Sequence, residues 1–247
     1  MMKKILLMIF CVSSVCVYPQ TQSMMHSFSV SPNKSVVFSE GNLQYNSKRT
    51  EYKFAKNQYD VIGYSESQKY ADWCDMFNWE QGNQCVVEGQ ESWRILTKKE
   101  WNYLLFERKN ANMLLGFGFV NNVFGLVVLP DSYDNNNGFI SMNDLKLQKN
   151  VSRYALIDDA HKKDNVYSKT SWKSIEKKGG VFLPLVSSSV IKEKNKEGLK
   201  GYYWSLDNDP TCLGRSFALS ISSIDINATK SLPNELMCSV RLVKDIE

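Results

Sequence analysis

The cysteines are the residues whose type and spacing first suggest chemistry in this sequence. There are six: two lie in an apolar N-terminal run, and four lie in the rest of the chain, Cys74, Cys85, Cys212 and Cys238. In an exported chain an even number of cysteines predicts disulfides, and four cysteines allow three connectivities. Proximity along the chain favours Cys74–Cys85 and Cys212–Cys238. None of the four belongs to a CxxC pair, and neither His26 nor His161 is near a cysteine, so zinc is not expected.

A run of oxygen-bearing side chains follows a strand-like segment near residue 205. Asp207, Asn208 and Asp209 stand in a row before Pro210, and calcium prefers such oxygen ligands. The alternative interpretation is ordinary turn chemistry, because Asp and Asn before Pro commonly open a turn, and no glutamate stands at a spacing that would complete a calcium site. We predict a ligand-binding loop of Asp207, Asn208 and Asp209 with Tyr202 beside it, with calcium as an option and no other cofactor.

Aromatic residues offer a second binding chemistry. Tyr202 to Trp204, or Trp73 with Trp79, could form a platform on which a sugar ring stacks. Successive residues of a strand face opposite sides, so at least one face of the Tyr202 to Trp204 segment belongs to the core. For Trp204, as for Trp93 and Trp101, we expect a place in the core.

Catalytic motifs are not recognised in the sequence. No G-x-S-x-G segment occurs, and His161 stands in a polar run beside Asp158 and Asp159. Two adjacent carboxylates in a loop do not define the geometry of a catalytic cleft. We therefore predict a protein without a catalytic centre.

Residues 1–19 have the order typical of a secretory signal peptide: Lys3 and Lys4, then an apolar run, then polar residues. That run is shorter than the ~20 apolar residues of a membrane span, and no later run reaches this length, so no transmembrane span is expected in the mature chain. Without residues 1–19 the chain has 28 basic and 26 acidic side chains. This near-neutral balance, without clustered Lys and Arg, argues against nucleic-acid binding. We predict that residues 20–247 form one exported domain.

The clearest local pattern begins at residue 93. Residues 93–96 are strand-like, and Thr97 with Glu100 forms a capping box that predicts the start of a helix. Trp101 and Leu104 then recur at helical spacing. A second short helix is predicted at about residues 171–178, ended by a pair of glycines.

Short strand-like runs occupy both ends of the sequence. Residues 36–38, 43–45 and 52–54 predict an antiparallel meander, and residues 117–120 and 124–129 predict a hairpin around Asn121 and Asn122. Further strands are predicted at residues 181–183, 201–205, 215–221 and 239–243. Strands at both ends with two helices between them indicate an α+β fold: antiparallel sheets, two short helices and long loops.

The order of these segments resembles a known family of exported bacterial domains. Its members share a series of motifs that this chain matches at residues 37–45 (VFSEGNLQY), 93–105 (WRILTKKEWNYLL), 125–131 (GLVVLPD), 180–184 (GVFLP), 201–205 (GYYWS) and 239–243 (SVRLV). This is the Fibrobacter succinogenes major paralogous domain family, which is similar in turn to the formylglycine-generating type of C-type lectin-like fold. The resemblance covers the chain from about residue 28 to its C-terminus and implies a C-type lectin-like fold.

The resemblance also frames the expected function. It implies a protein exported to the periplasm or cell surface of a Gram-negative bacterium. We expect a non-catalytic binding module whose partner is a glycan or an envelope protein. One alternative is an oxidoreductase of the formylglycine-generating type, in which Cys212 and Cys238 would be the reactive, copper-binding pair. A further alternative is a structural subunit of a surface assembly.

Overall fold

A computed structural model describes residues 26–63, 71–83, 93–134, 139–142, 165–185, 200–222 and 225–246. The predicted signal peptide, Cys85 and the polar run with His161 lie outside these residues. Within them the chain has mixed α+β structure, mostly antiparallel sheets with a few short helices, as predicted. No helix in the described ranges is long and apolar enough to cross a bilayer.

The described part of the first half contains small sheets and two short α-helices. Its strands are β1 (Phe28–Ser31), β2 (Lys34–Phe38), β3 (Leu43–Asn46), β4 (Glu51–Phe54), β5 (Trp73–Cys74), β6 (Arg94–Ile95), β7 (Leu115–Val120) and β8 (Val123–Val128). Its helices are α1 (Trp79–Asn83) and α2 (Lys98–Asn102), and α2 continues as a π-helical turn (Tyr103–Glu107) before a 3-10 turn (Ala111–Met113).

Within the described residues, the second half adds one complete α-helix and the longest strands. These elements are β9 (Val166–Tyr167), α3 (Lys169–Glu176), β10 (Val181–Pro184), β11 (Lys200–Asn208), β12 (Arg215–Ser222), β13 (Ile226–Pro233) and β14 (Leu242–Asp245). The strands form four sheets, in the orders β1-β2-β14-β6, β10-β8-β7-β9, β11-β12-β13 and β4-β3-β5. Between the strands given above, every pairing is antiparallel except the short one between β7 and β9.

Local sequence signals explain several of these boundaries. Thr97 accepts a hydrogen bond from the amide of Glu100 while the Glu100 carboxylate accepts one from the amide of Thr97, so the predicted capping box opens α2. Asn121 and Asn122 both have positive φ, 49° and 66°, the geometry of a two-residue hairpin turn between β7 and β8. Gly179, with φ of +84°, follows α3 and allows the chain to turn after the helix.

The predicted three-strand meander is wrong, because β2 and β3 belong to different sheets. β3 pairs with β4 as expected, but β2 pairs with β1 and with the C-terminal strand β14. The connection between β2 and β3 runs beside the segment before β14: the amide of Ser39 donates to the carbonyl of Leu242, and that of Leu43 donates to Val240. Backbone groups that a tight hairpin would have paired are satisfied there by the C-terminal segment.

The buried apolar side chains of the described ranges form three clusters. One lies around α2, β1, β7, β8 and β10, a second around β3, β11 and the segment before β14, and a third around α3 and the outer face of β7 and β8. Trp101 and Trp204 are fully buried, so their predicted core positions are confirmed. Trp93 is half-buried against the second cluster.

Candidate functional site

A pocket of about 370 Å³ opens against one face of the β4-β3-β5 sheet. In the register of this sheet Gln44 is opposite Lys53, and Asn46 is opposite Trp73. Directly paired residues, and residues two apart on one strand, share a face. Gln44, Lys53 and Trp73 therefore lie side by side, and we call this site the Trp73 pocket. Its lining is completed by residues of the adjoining loop and by the end of β4: Phe54, Lys56, Asp60, Val61 and Ile62.

The polar groups of the Trp73 pocket are mostly hydrogen-bond donors without a partner. Gln44 is only 5% exposed, yet its side-chain amide has no hydrogen bond to any described part of the protein. An amide that lines a concave pocket and has no partner among the described residues is available to hydrogen-bond a ligand there. Lys53 and Lys56 likewise form no ion pair with the described residues.

Lys53 is held in place by an aromatic ring. Its Nζ lies 3.7 Å from the centroid of the Trp73 ring, a distance typical of a cation–π contact. Partial burial, followed by the positive charge of Arg49, lowers the pKa of Lys53. Because the ammonium covers the ring, Trp73 acts here as a support for a cation and not as an open stacking surface.

The loop wall of the pocket is fixed by a buried carboxylate. Asp75 is fully buried, and its two oxygens accept hydrogen bonds from the amides of Ile62, at 2.8 Å, and Gly63, at 2.7 Å. Burial raises the pKa of Asp75 to about 6 despite these bonds, because a carboxylate in a water-poor environment loses its hydration. Asp75 thus ties the Val61 and Ile62 wall to the strand that carries Trp73.

A buried polar network supports the same loop from behind. The guanidinium of Arg241, only 1% exposed, donates to the side-chain oxygen of Gln58 at 2.9 Å. Gln58 also accepts from the amide of Phe182 and donates to Glu176 and to the carbonyl of Gly180. Burial lowers the pKa of Arg241 to about 10. Apart from the Nε of Arg241, which has no hydrogen-bond partner in the described part of the chain, these groups bind one another, and they hold the loop from behind.

A second cavity, of about 400 Å³, lies on the other side of this loop. Lys56 lines both cavities, but the second one also contains Glu40, Glu176 and His26. Its charge is therefore more negative than that of the Trp73 pocket. We call it the His26 cavity.

The structure separates the three oxygen-bearing residues that were predicted as a ligand-binding loop. An Asp207 oxygen accepts from the amide of Lys98 at the start of α2, and the Asn208 oxygen accepts from the hydroxyl of Ser216. Asp209 accepts from Ser231 and Thr211, and these hydrogen bonds lower its pKa to about 2.

Metal binding at this loop stays a prediction. Each of its three side chains has its own partner in the protein: Asp207 bonds the distant Lys98, Asn208 bonds Ser216, and Asp209 bonds both its neighbour Thr211 and the more distant Ser231. In the described ranges no group of three His, Cys, Asp or Glu side chains is placed to hold a metal.

Tyr202 is buried and packs in the second core cluster. Tyr203 and Trp204, which face opposite sides of β11, are buried completely. The Trp204 ring nitrogen donates to the carbonyl of Phe77 at 2.8 Å. These three rings are therefore core residues and not an accessible sugar-stacking platform.

The predicted Cys212–Cys238 disulfide is not present, which corrects the sequence-based pairing. Cys212 is exposed in the turn after β11, whereas Cys238 is fully buried, and both are thiols. Cys238 is fixed in the core because its backbone exchanges two hydrogen bonds with Phe77. Burial also raises the pKa of the Cys238 thiol, which disfavours the thiolate that a reactive pair needs.

The Cys74–Cys85 pairing stays a prediction. Cys74 is buried in β5, next to Trp73, and its proposed partner Cys85 lies outside the described residues.

The Trp73 pocket was missed in the sequence, although a signal for it was present. Gln44 and Lys53 each interrupt an aromatic or apolar run, LQY and YKF. Strand alternation places both on the face opposite the core-facing Tyr45 and Tyr52. The loop wall gives no comparable signal, because it depends on Asp75, which approaches from a later part of the chain.

Comparison of the chain with protein-family models, with curated proteins and with solved structures finds no match.

Proposed function

We propose that this chain is an exported, non-catalytic binding module and that the Trp73 pocket receives one saccharide unit of a glycan ligand. The observation that carries the proposal is Gln44, a largely buried residue that lines the pocket and whose side-chain amide has no hydrogen-bond partner among the described residues. Specific small-molecule sites are concave, largely preformed and equipped with a few such polar groups. The pocket volume of about 370 Å³ falls in the range of roughly 300–1,000 Å³ for such sites.

The surroundings of the pocket support binding and not catalysis. The carboxylates near it are engaged in fixing the loop: Asp75 holds two amides, and Asp60 accepts from the backbone and side chain of Asn57. Export and the family resemblance, both inferred from sequence motifs, place this binding in the periplasm or at the cell surface. An envelope protein is the alternative partner.

A glycan array with the wild-type protein and two variants tests the proposal. Gln44→Met keeps the side-chain length but removes the amide, so it should weaken binding by about 1–3 kcal/mol, the cost of losing a buried hydrogen bond. Gln81→Met, at an exposed position of α1, is the matched control and should bind like the wild type. Glycan binding that is equal in all three proteins, or no glycan binding by a folded wild type, would refute the proposal.

A further inference from the structure

The lining of the Trp73 pocket is unbalanced between donors and acceptors. Lys53, Lys56 and Gln44 bring two ammonium groups and one amide to it. Among the described residues neither ammonium has a carboxylate partner within salt-bridge distance. A ligand that enters the pocket is therefore exposed to the unpaired positive charges of Lys53 and Lys56.

Among the described residues that line the pocket, the one carboxylate is Asp60, and it is already engaged. Both oxygens of Asp60 accept hydrogen bonds from Asn57, at 3.0–3.2 Å, through its backbone amide and its side-chain nitrogen. Asp60 is therefore less able to accept from the hydroxyl groups of a neutral sugar or to neutralise the two lysines. The groups of the lining that are still free to bind a ligand are donors, and they suit a negatively charged group that is rich in acceptors.

The position of Lys53 adds an electrostatic argument. The Trp73 ring holds its ammonium at 3.7 Å, which reduces the conformational freedom that an anion would otherwise have to restrict. Burial and Arg49 oppose the charge of Lys53, while Glu51 and Asp60 favour it from a distance. An anion in the pocket would supply the close counter-charge that these neighbours do not.

The His26 cavity provides an internal comparison. It shares Lys56 with the Trp73 pocket but is lined by Glu40 and Glu176, which would repel an anion. The two cavities therefore differ in sign, and only the Trp73 pocket suits an anionic group.

From these contacts we infer that the saccharide bound in the Trp73 pocket is acidic, with a carboxylate or sulfate group held between Lys53 and Lys56. The inference rests on the proposed function and specifies its ligand class. It predicts that charge on the sugar, and not ring identity alone, determines affinity.

Titration calorimetry with paired probes tests this inference. The carboxylate pair is an oligogalacturonate and its methyl ester, and the sulfate pair is a sulfated dextran oligomer and plain dextran. At least one acidic probe should bind about tenfold or more tightly than its neutral partner, since a charge-assisted hydrogen bond contributes about 1.5–3 kcal/mol. This preference should shrink when the salt concentration is raised, because salt screens exposed charges. The two pairs distinguish a carboxylate from a sulfate.

Lysine variants locate the effect. Lys53→Gln and Lys56→Gln should each reduce affinity for the acidic probe about tenfold, and Lys53→Arg should retain most of it. Lys230→Gln, at an exposed position of β13, removes the same charge elsewhere and should have no effect. Thermal midpoints close to that of the wild type establish that each variant is folded.

The outcomes separate the two claims. If the methyl ester and plain dextran bind as tightly as the acidic probes, and Gln44→Met weakens all of them, the inference is wrong and the proposed function stands. If no saccharide binds but an oligoglutamate peptide does, and Lys53→Gln weakens it, both are wrong and the pocket receives an acidic protein segment. If nothing binds, both are wrong.

Discussion

Asp75 shows how a single residue shapes the Trp73 pocket. It is buried without an ion-pair partner among the described residues, and it holds the Ile62 and Gly63 amides. Its burial destabilises the charged form, so the carboxyl keeps a proton in the folded state to a higher pH than in the unfolded chain. Burial of Asp75 therefore lowers the stability of the fold at neutral pH, while its two hydrogen bonds fix the pocket wall.

Replacing Asp75 by Asn should make the difference in the free energy of unfolding between the two proteins depend on pH. The pKa of about 6 in the folded protein exceeds the ordinary value of 3.8, so the protonated carboxyl contributes stability below pH 4 that is lost as the pH rises through 6. The stability of the wild type relative to Asp75→Asn should fall by up to about 3 kcal/mol from pH 4 to pH 7. Urea unfolding of both proteins measures it, and a difference that is flat or rises with pH would contradict the assignment.

Gln58 is the residue on which the buried network depends. It accepts from Arg241 and from the amide of Phe182, so Gln58→Met leaves a buried guanidinium and a buried amide without this acceptor. We expect a loss of about 3–5 kcal/mol in the free energy of unfolding. Gln81→Met, on the exposed side of α1, should change it by less than about 0.5 kcal/mol. A small effect of Gln58→Met in chemical denaturation would show that the network is dispensable.

The start of helix α2 is held to three other segments: the residues before the helix, strand β11 and, through Arg94, strand β14. Thr97 and Glu100 cap each other, and Asp207 at the end of β11 accepts from the amide of Lys98 at 2.6 Å. Arg94 also forms ion pairs with Glu100 and with Asp245 in β14. Burial opposes ionisation of Glu100, but hydrogen bonds from Arg94 and Thr97 outweigh it and lower its pKa.

Removing either cap should destabilise the protein measurably. Thr97→Ala and Asp207→Ala each leave an amide of the first helical turn without its acceptor, which costs about 1 kcal/mol. Lys99→Ala, an exposed residue of the same helix, is the control and should cost much less. Thermal unfolding compares the three. If Asp207→Ala has no effect on stability, this side chain has no structural role at the start of α2, and its predicted role in a ligand-binding loop is favoured.

For the whole molecule, sequence patterns were reliable where they were local. The capping box at Thr97, the Asn121–Asn122 turn and the burial of Trp101 follow from neighbouring residues. Pairing between distant segments was not predictable: β2 joins β14 across nearly the whole chain. Strand β13 was not predictable either, because its polar sequence INATKSLP lies at a sheet edge and lacks the apolar alternation of a buried strand.

The difficulty of predicting contacts between distant segments also explains why the Cys212–Cys238 pairing was predicted wrongly, and thiol labelling tests the corrected assignment. Proximity in sequence suggested that Cys212 and Cys238 pair, but the fold places one in an exposed turn and the other in the core. A thiol reagent should label Cys212 rapidly in the native protein and Cys238 only after unfolding. Cys212→Ser should leave the thermal midpoint within about a degree, because surface substitutions change stability little. If neither thiol of the native protein reacts before reduction, the result would favour the Cys212–Cys238 disulfide.

NMR with an oligogalacturonate or a sulfated dextran oligomer tests most directly whether the Trp73 pocket is the ligand site. We predict that the side-chain amide signals of Gln44 and the backbone amide signals of Ile62 and Gly63 shift on titration. Signals from residues 207–209 should stay unchanged. Shifts centred on residues 207–209, or on the His26 cavity with Gln44 unaffected, would contradict the central claim.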